Sequence, residues 1–315
     1  MEELQLLNRR GFIKTTASTV ALAALANSPL RLLAKDEAIR ITILHTNDWH
    51  SRIEPFAADD KQFAGLGGAA ARSALIKKIR SEEKNVLLLD AGDIFQGTPY
   101  FNFFEGELEY KIMSEMGYDL ATLGNHDFDN GIEGIINQMR YAKFEFVNAN
   151  YDFSNTLLSD KVKPYKVINK NGIKIGVFGV GIELKGLVPD ELYGNIKYND
   201  PIEAANRISA ELKIKHKCDL VICLSHLGYK YANDKVSDIT LAQKTQNIDL
   251  IIGGHTHTFL PAPVKQKNLL GKEVLINQVG WAGINLGRID YTFEPLKNKV
   301  SQPVASVLEI GERNI

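Results

Sequence analysis

Ile39-Arg40-Ile41-Thr42-Ile43-Leu44-His45-Thr46-Asn47-Asp48-Trp49-His50 reads in two halves. The first, Ile39 to Leu44, is a β-branched and aliphatic run that suits a buried strand. The second is rich in imidazole, amide and carboxylate. If it stays extended, Asp48 and His50, two residues apart, point the same way. The same two-part pattern returns four times. Val86 to Leu89 runs into Asp90-Ala91-Gly92-Asp93-Ile94-Phe95-Gln96-Gly97, and Leu120 to Leu123 into Gly124-Asn125-His126-Asp127-Phe128-Asp129. Ile222 to Leu224 runs into Ser225-His226-Leu227-Gly228, and Leu250 to Ile252 into Gly253-Gly254-His255-Thr256-His257. Open α/β sheets build their sites at the carboxyl ends of strands, so five strand-plus-cluster units predict one site drawn from five loops. Of the 7 histidines, only His216, in the polar run Lys213 to Lys217, lies outside these clusters, and it is assigned no role.

Between the strand patterns lie helical ones: Ala69 to Ile79, Leu108 to Met116, Ile132 to Ala142, Ile202 to Lys215 and Ile239 to Thr245. Alternation of this kind predicts βαβ units with buried parallel strands, hence an α/β fold. Lys170-Asn171-Gly172, between Tyr165 to Asn169 and Ile173 to Phe178, reads as a hairpin turn. Val274 to Gln278 and Leu286 to Phe293 add antiparallel material, so the sheets are mixed. Pro295 to Ile315 is polar and weakly patterned, a final strand or a stub.

The 315 residues carry 37 Lys+Arg against 38 Asp+Glu, a formal charge of -1. Such a chain has no global field for a nucleic-acid polymer or an anionic membrane. Its two cysteines, Cys218 and Cys223, are too few for a disulfide framework or a four-thiolate zinc site. Their odd separation predicts opposite faces of a strand and free buried thiols.

Asn8-Arg9-Arg10-Gly11-Phe12-Ile13-Lys14 precedes an uncharged stretch from Thr15 to Ala26 that is too short to span a bilayer as a mature helix. This resembles a twin-arginine export signal. Cleavage after Ala26 or Ala34 fits, so residues 1–34 are set aside as signal peptide and 35–315 as one catalytic domain. The expected location is periplasmic or extracellular, with no transmembrane helix in the mature form.

Imidazole, carboxylate and amide oxygen together suit divalent zinc, manganese or iron, and the absence of thiolates argues against a structural zinc. A nucleophile-elbow Gly-x-Ser-x-Gly is missing. Gly65-Leu66-Gly67-Gly68 lacks the Lys-Ser/Thr of a phosphate-binding P-loop and reads as a turn feeding a helix. Arg52 reads as a phosphate contact or a surface ion pair.

The ordered set Asp48-x-His50, Gly92-Asp93-x-x-Gln96, Gly124-Asn125-His126-Asp127, His226 and Gly254-His255-x-His257 resembles the calcineurin-like metallophosphoesterases. Leu44 to Asp48, Phe95 to Pro99, Asn125 to Asp129 and Gly67 to Arg72 resemble the catalytic domain of the 5'-nucleotidase group. The resemblance implies a four-layer α/β/β/α sandwich with mixed sheets and two divalent metal ions (Mn, Zn or Fe). It places Asp48, His50 and His257 on one ion, Asn125, His226 and His255 on the other, and Asp93 between them. It implies hydrolysis of a small phosphate ester, a nucleotide monoester foremost, by water activated between the ions. His126 would stabilise the transition state or protonate the leaving group, and Asp129 would orient it. The other reading of Asp129 is an N-cap for the helix from Ile132. Full-length 5'-nucleotidases carry a C-terminal substrate domain beyond the match, so the further expectation is either a separate chain supplying nucleotide specificity or a more open site for small phosphate esters. Two alternatives stand beside this reading. One is a phosphodiesterase, 2',3'-cyclic nucleotide hydrolase or sulfur-ester hydrolase on the same metals. The other is a non-catalytic, metal-stabilised binding subunit.

Overall fold

β1 (Ile39–Thr46) occupies the middle of the first sheet, with alternate side chains buried on opposite faces. The structure, a computed structural model, describes residues 38–294 and 299–311. The expected twin-arginine signal at residues 1–34 lies outside the described residues. Parallel to β1 run β2 (Val86–Asp90), β3 (Leu120–Ala121) and β4 (Glu145–Val147). The chain then forms β5 (Tyr151–Asp152), half of a small ribbon, and returns to the sheet edge as β6 (Val162–Lys163).

The second sheet begins with a hairpin, β7 (Tyr165–Lys170) and β8 (Ile173–Gly181), in the register Lys170↔Ile173. Its turn residues Asn171 and Gly172 both have positive φ, 53° and 91°, which the Asn-Gly pair accommodates. After β9 (Lys197–Tyr198), which pairs with β5, come β10 (Leu220–His226), β11 (Leu250–Gly253), β12 (Val264–Lys267) and β13 (Glu273–Asn277). The order is β12-β13-β11-β10-β8-β7, parallel in its centre and antiparallel at both edges. The chain then crosses back as β14 (Asn285–Glu294), antiparallel to β1, and adds β15 (Lys299–Val300) and β16 (Val304–Glu309), both paired to β14. The weakly patterned tail therefore supplies strands.

Side-chain alternation creates the layers. Ile41, Ile43, Leu87 and Leu89 of the first sheet meet Ile175, Val177, Ile222 and Ile252 of the second in one core. Leu44 and Leu88 point the other way, onto Ile76 and Ile79 of the helix Ala69–Glu82 and Tyr110 and Met113 of the helix Glu107–Met116. Val221, Cys223 and Ile251 likewise face Ala205 and Ile208 of the helix Pro201–Ala210 and Leu241 of the helix Asp238–Lys244. The result is helix, sheet, sheet, helix, as expected for the α/β/β/α sandwich.

Three local expectations need correction. β3 stops at Ala121, because Thr122 and Leu123 already lead into the site loop. The pattern Ile202 to Lys215 is an α-helix to Ala210 that widens into a π turn, Glu211–Lys215. Cys218 and Cys223 are free and buried, yet both pack into the same apolar cluster. Cys218 precedes β10, so strand alternation does not reach it.

Candidate metal centre

The loops after β1, β2 and β11 leave their strands through left-handed backbone. Asp48, His50, Ser51, Asp93, Gln96, His255 and His257 have φ between 50° and 73°. Non-glycine residues hold that conformation only where their surroundings fix it. Here neighbouring loops fix one another. Asp48 N donates to Gly92 O at 2.9 Å, His50 N to Asp93 O at 3.0 Å and Ser51 N to Ile94 O at 3.0 Å, tying the β1 loop to the β2 loop residue by residue. From the second sheet, His255 N donates to Asp48 Oδ1 and Oδ2 at 2.9 and 3.0 Å.

These ties bring the expected ligand atoms together in two groups, Asp48 with His50 and His257, and Asp93 with His226 and His255. Within each, the atoms lie within 4.8 Å of one another. Asp93 Oδ2 is 3.0 Å from His226 Nε2 and 3.8 Å from His50 Nε2, so one oxygen faces both groups. Asn125 joins the second group, its Oδ1 lying 2.8 Å from His255 Nδ1. Burial leaves Asp48, Asp93, His50 and His226 nearly inaccessible, whereas the His257 side chain is 39% exposed and the His126 side chain 38%. The centre therefore opens on the side of these two imidazoles.

The electrostatics are those of a nest of donors. Burial resists ionisation of Asp93, yet His226 and His50 beside it hold its carboxyl well below the usual range. Burial likewise opposes a charge on His226, but the Asp93 carboxylate lifts it to about 10. Burial drives His255 down to about 4 and also lowers His50, leaving neutral imidazoles with free lone pairs.

His126 follows Asn125 in a single 3-10 turn, His126–Phe128, and its backbone N donates to Asp93 Oδ1 at 2.8 Å. Its Nδ1 lies 2.9 Å from Asp129 Oδ2, and that hydrogen bond raises the imidazole above its ordinary value despite partial burial. The helix that follows, Gly131–Met139, has Asn130 at its N-cap, so Asp129 is occupied with His126 and not with capping. Arg52 stacks on Phe56, its guanidinium carbon 4.1 Å from the ring centroid, and forms no ion pair among the described residues.

Three supporting residues escaped sequence reasoning. Asp127, fully buried, accepts backbone N–H groups from Gly124 and Asp93 on Oδ2 at 2.8 and 3.0 Å. Its Oδ1 accepts from Ile94 and Phe95 at 2.9 and 3.2 Å, clamping the third loop to the second. Gln278 performs the same service for the fifth loop, donating to Gly254 O at 2.6 Å and accepting from Thr256 and Thr258. Trp281 stacks face to face on His257, with centroids 5.5 Å apart. Asp127 sat inside a flagged cluster, but nothing in the linear spacing signals Gln278 or Trp281.

The donor atoms fit a pair of cations. His50 Nε2 and His257 Nε2 face each other at 2.9 Å, and the buried His226 Nε2 faces Asp93 Oδ2 from 3.0 Å. Nitrogen and oxygen lone pairs converging without thiolate suit borderline divalent metals. Gly124 and Gly254 leave room for this packing, since a Cβ at Gly254 would lie 2.9 Å from His226 Nδ1 and 3.1 Å from Asp48 Oδ2.

Two mixed sheets packed face to face, with such donor groups at their carboxyl edges, define a metallophosphoesterase-type domain. The chain belongs to the calcineurin-like phosphoesterase family, whose model matches residues 41–259. It is 32% identical over 305 residues to the 5'-nucleotidase of Vibrio cholerae, covering 89% of this chain and 54% of that protein. It is 35% identical over 254 residues to the 5'-nucleotidase of Rattus norvegicus, covering 78% of this chain and 42% of that one. Among solved structures, the 5'-nucleotidase precursor from Thermus thermophilus superposes with a TM-score of 0.78 at 31% identity, over 88% of this chain and 55% of the other. The chain thus spans about half the length of these relatives. Among the described residues no helix is long and apolar enough to cross a membrane.

Proposed function

We propose that this chain is the catalytic unit of an exported, dinuclear-metal phosphomonoesterase acting on nucleotides. The observation that carries the reading is the pair of donor groups facing each other through a single Asp93 oxygen. Asp48, His50 and His257 would hold one cation, Asn125, His226 and His255 the other, with Asp93 shared. Bound there, two divalent cations supply an activated water at neutral pH and offset the charge that builds on phosphoryl oxygens.

The chain's own residues do the rest. Asp127 and the β1–β2 ties fix the carboxylates and imidazoles before substrate arrives, so little reorganisation is needed during reaction. His126, at the open side, carries a proton on Nδ1 that Asp129 accepts in a hydrogen bond, and its Nε2 offers a second proton to the departing ester oxygen. Family relatives called 5'-nucleotidases support nucleotide monoesters as the substrate class. Asn8 to Lys14 supports twin-arginine export.

Metal-stripped protein reloaded with Mn²⁺ or Zn²⁺ and offered AMP, p-nitrophenyl phosphate, bis-p-nitrophenyl phosphate and 2',3'-cyclic AMP tests the reading. Release of phosphate from AMP that depends on added metal is expected. Hydrolysis of only the diesters would replace it with the phosphodiesterase alternative, and no turnover at all with two metals bound would overturn it in favour of a binding subunit.

A further inference from the structure

Arg72 lies in the helix Ala69–Glu82, outside the donor groups, yet it is 1% exposed. Its Nε, Nη1 and Nη2 make no hydrogen bond among the described residues. A buried guanidinium is costly unless something offsets its charge. What it meets is the face of Trp49, with the guanidinium carbon 4.2 Å from the ring centroid. Against the edge of both groups runs the backbone of Gly283, where a Cβ would come within 2.8 Å of Nη1 and 3.4 Å of Trp49 Cδ1. The guanidinium, the indole and this glycine therefore form a closed stack with no room for an added methyl group.

Trp49 is itself 1% exposed and stands between Asp48 and His50, so its backbone carries both first-loop donors. Its indole Nε1 donates to Arg52 O at 2.5 Å, closing the turn that holds Asp48, His50 and Ser51 in left-handed backbone. The Arg72 charge also reaches Asp90, whose Oδ1 accepts from Gly92 N at 2.9 Å at the start of the loop bearing Asp93. Asp90 Oδ2 in turn accepts from Thr46 Oγ1 at 2.5 Å, at the end of β1.

We infer that Arg72 is a positioning residue for the Asp48–His50–His257 group. Its cation–π stack on Trp49 locks the strained turn so that the carboxylate and imidazole on either side of the indole stay aimed at one point. It touches neither donor and acts through the ring between them. The inference rests on the metal-binding reading above, and the experiment separates the two.

Divalent cation binding to the metal-stripped full chain is measured by isothermal titration with Mn²⁺ for wild type, Arg72→Met, Arg72→Lys and Trp49→Phe, together with thermal melts. If wild type binds no Mn²⁺, the metal reading fails, whatever the variants do. If wild type binds two, Arg72→Met is expected to lose about 10- to 100-fold in affinity at one site while the other keeps its affinity. Arg72→Lys keeps the charge without the planar face and should restore only part of that loss. Trp49→Phe keeps an aromatic face but loses the Nε1 bond to Arg52 O, so it should weaken the same site and leave the other unchanged; wild-type affinity at both sites would count against the ring as the link. Equal weakening of both sites, or unchanged Mn²⁺ affinities in a folded Arg72→Met, overturns the inference. Should Arg72→Met melt below the assay temperature, Arg72→Lys decides alone: full wild-type affinity at both sites refutes the role of the stack.

Discussion

Replacing Gly124 by alanine probes how tightly the second and third loops are fitted. A Cβ built there would lie 2.2 Å from Asp93 Oδ1, 2.6 Å from Asp93 N and 2.6 Å from His226 Cε1. Ordinary van der Waals contact begins near 3.4 Å, so the three atoms or the Gly124 backbone must retreat by about 1 Å. None is free to do so. Asp93 Oδ1 is held by His126 N, Asp93 N by Asp127, and His226 Nδ1 by Ala91 O at 2.7 Å. Gly124 does not occupy the left-handed region, so the penalty is one of space alone. Overpacking of this kind costs about 1–3 kcal/mol, a fall in Tm of roughly 2–10 °C. The kinetic effect is larger, because a 1 Å shift of reacting groups is worth about 100-fold in rate. Metal titration and phosphate release from AMP, run beside a Gly172→Ala control, read both. Gly172 has φ +91° with nothing within 4 Å, so its substitution introduces backbone strain without touching the centre. Gly124→Ala turning over AMP within twofold of wild type would refute the close fit on which the site rests.

Other outcomes follow from the same geometry. Asp129→Asn removes the negative charge from the partner that raises His126 and weakens the bond between them. Because a general acid is lost as pH rises through its pKa, the alkaline limb of the kcat profile should move to lower pH, and a profile identical to wild type would exclude that partnership. His126→Ala should lower kcat by about 10²- to 10⁴-fold while both metals still bind by titration, since the ring belongs to neither donor group. Asp127→Asn replaces one carboxylate oxygen by an amide nitrogen and leaves two of four buried N–H groups facing a donor, at about 1–3 kcal/mol each. Urea melts should show it less stable by roughly 2–6 kcal/mol. A shift below 1 kcal/mol would mean that the clamp contributes little.

The α/β class was readable from aliphatic runs alternating with helical patterns, because parallel strands buried on both faces by different partners, as Leu87 and Leu88 illustrate, read as continuous apolar runs, whereas the four layers followed from the family resemblance. The five site loops were readable for a related reason: an abrupt change from aliphatic to polar residues marks a strand's carboxyl end. What stayed hidden depends on tertiary contact. Trp281 reaches His257 from more than twenty residues away, and Gln278 supports the fifth loop from a segment with no charge or motif of its own. Arg72 ends the Gly67 to Arg72 segment that carried part of the family resemblance, but nothing in the sequence places its guanidinium against Trp49. The π turn at Glu211–Lys215 has no sequence signature distinct from an ordinary helix end.

On the proposed mechanism two cations act together at Asp93. Stepwise addition of Mn²⁺ to metal-stripped protein, with phosphate release from AMP followed at each step, tests it most directly. Little turnover is expected through the first equivalent, with a rise to the plateau on the second. Full activity in the stripped protein, or a plateau reached at one equivalent or less, would contradict it.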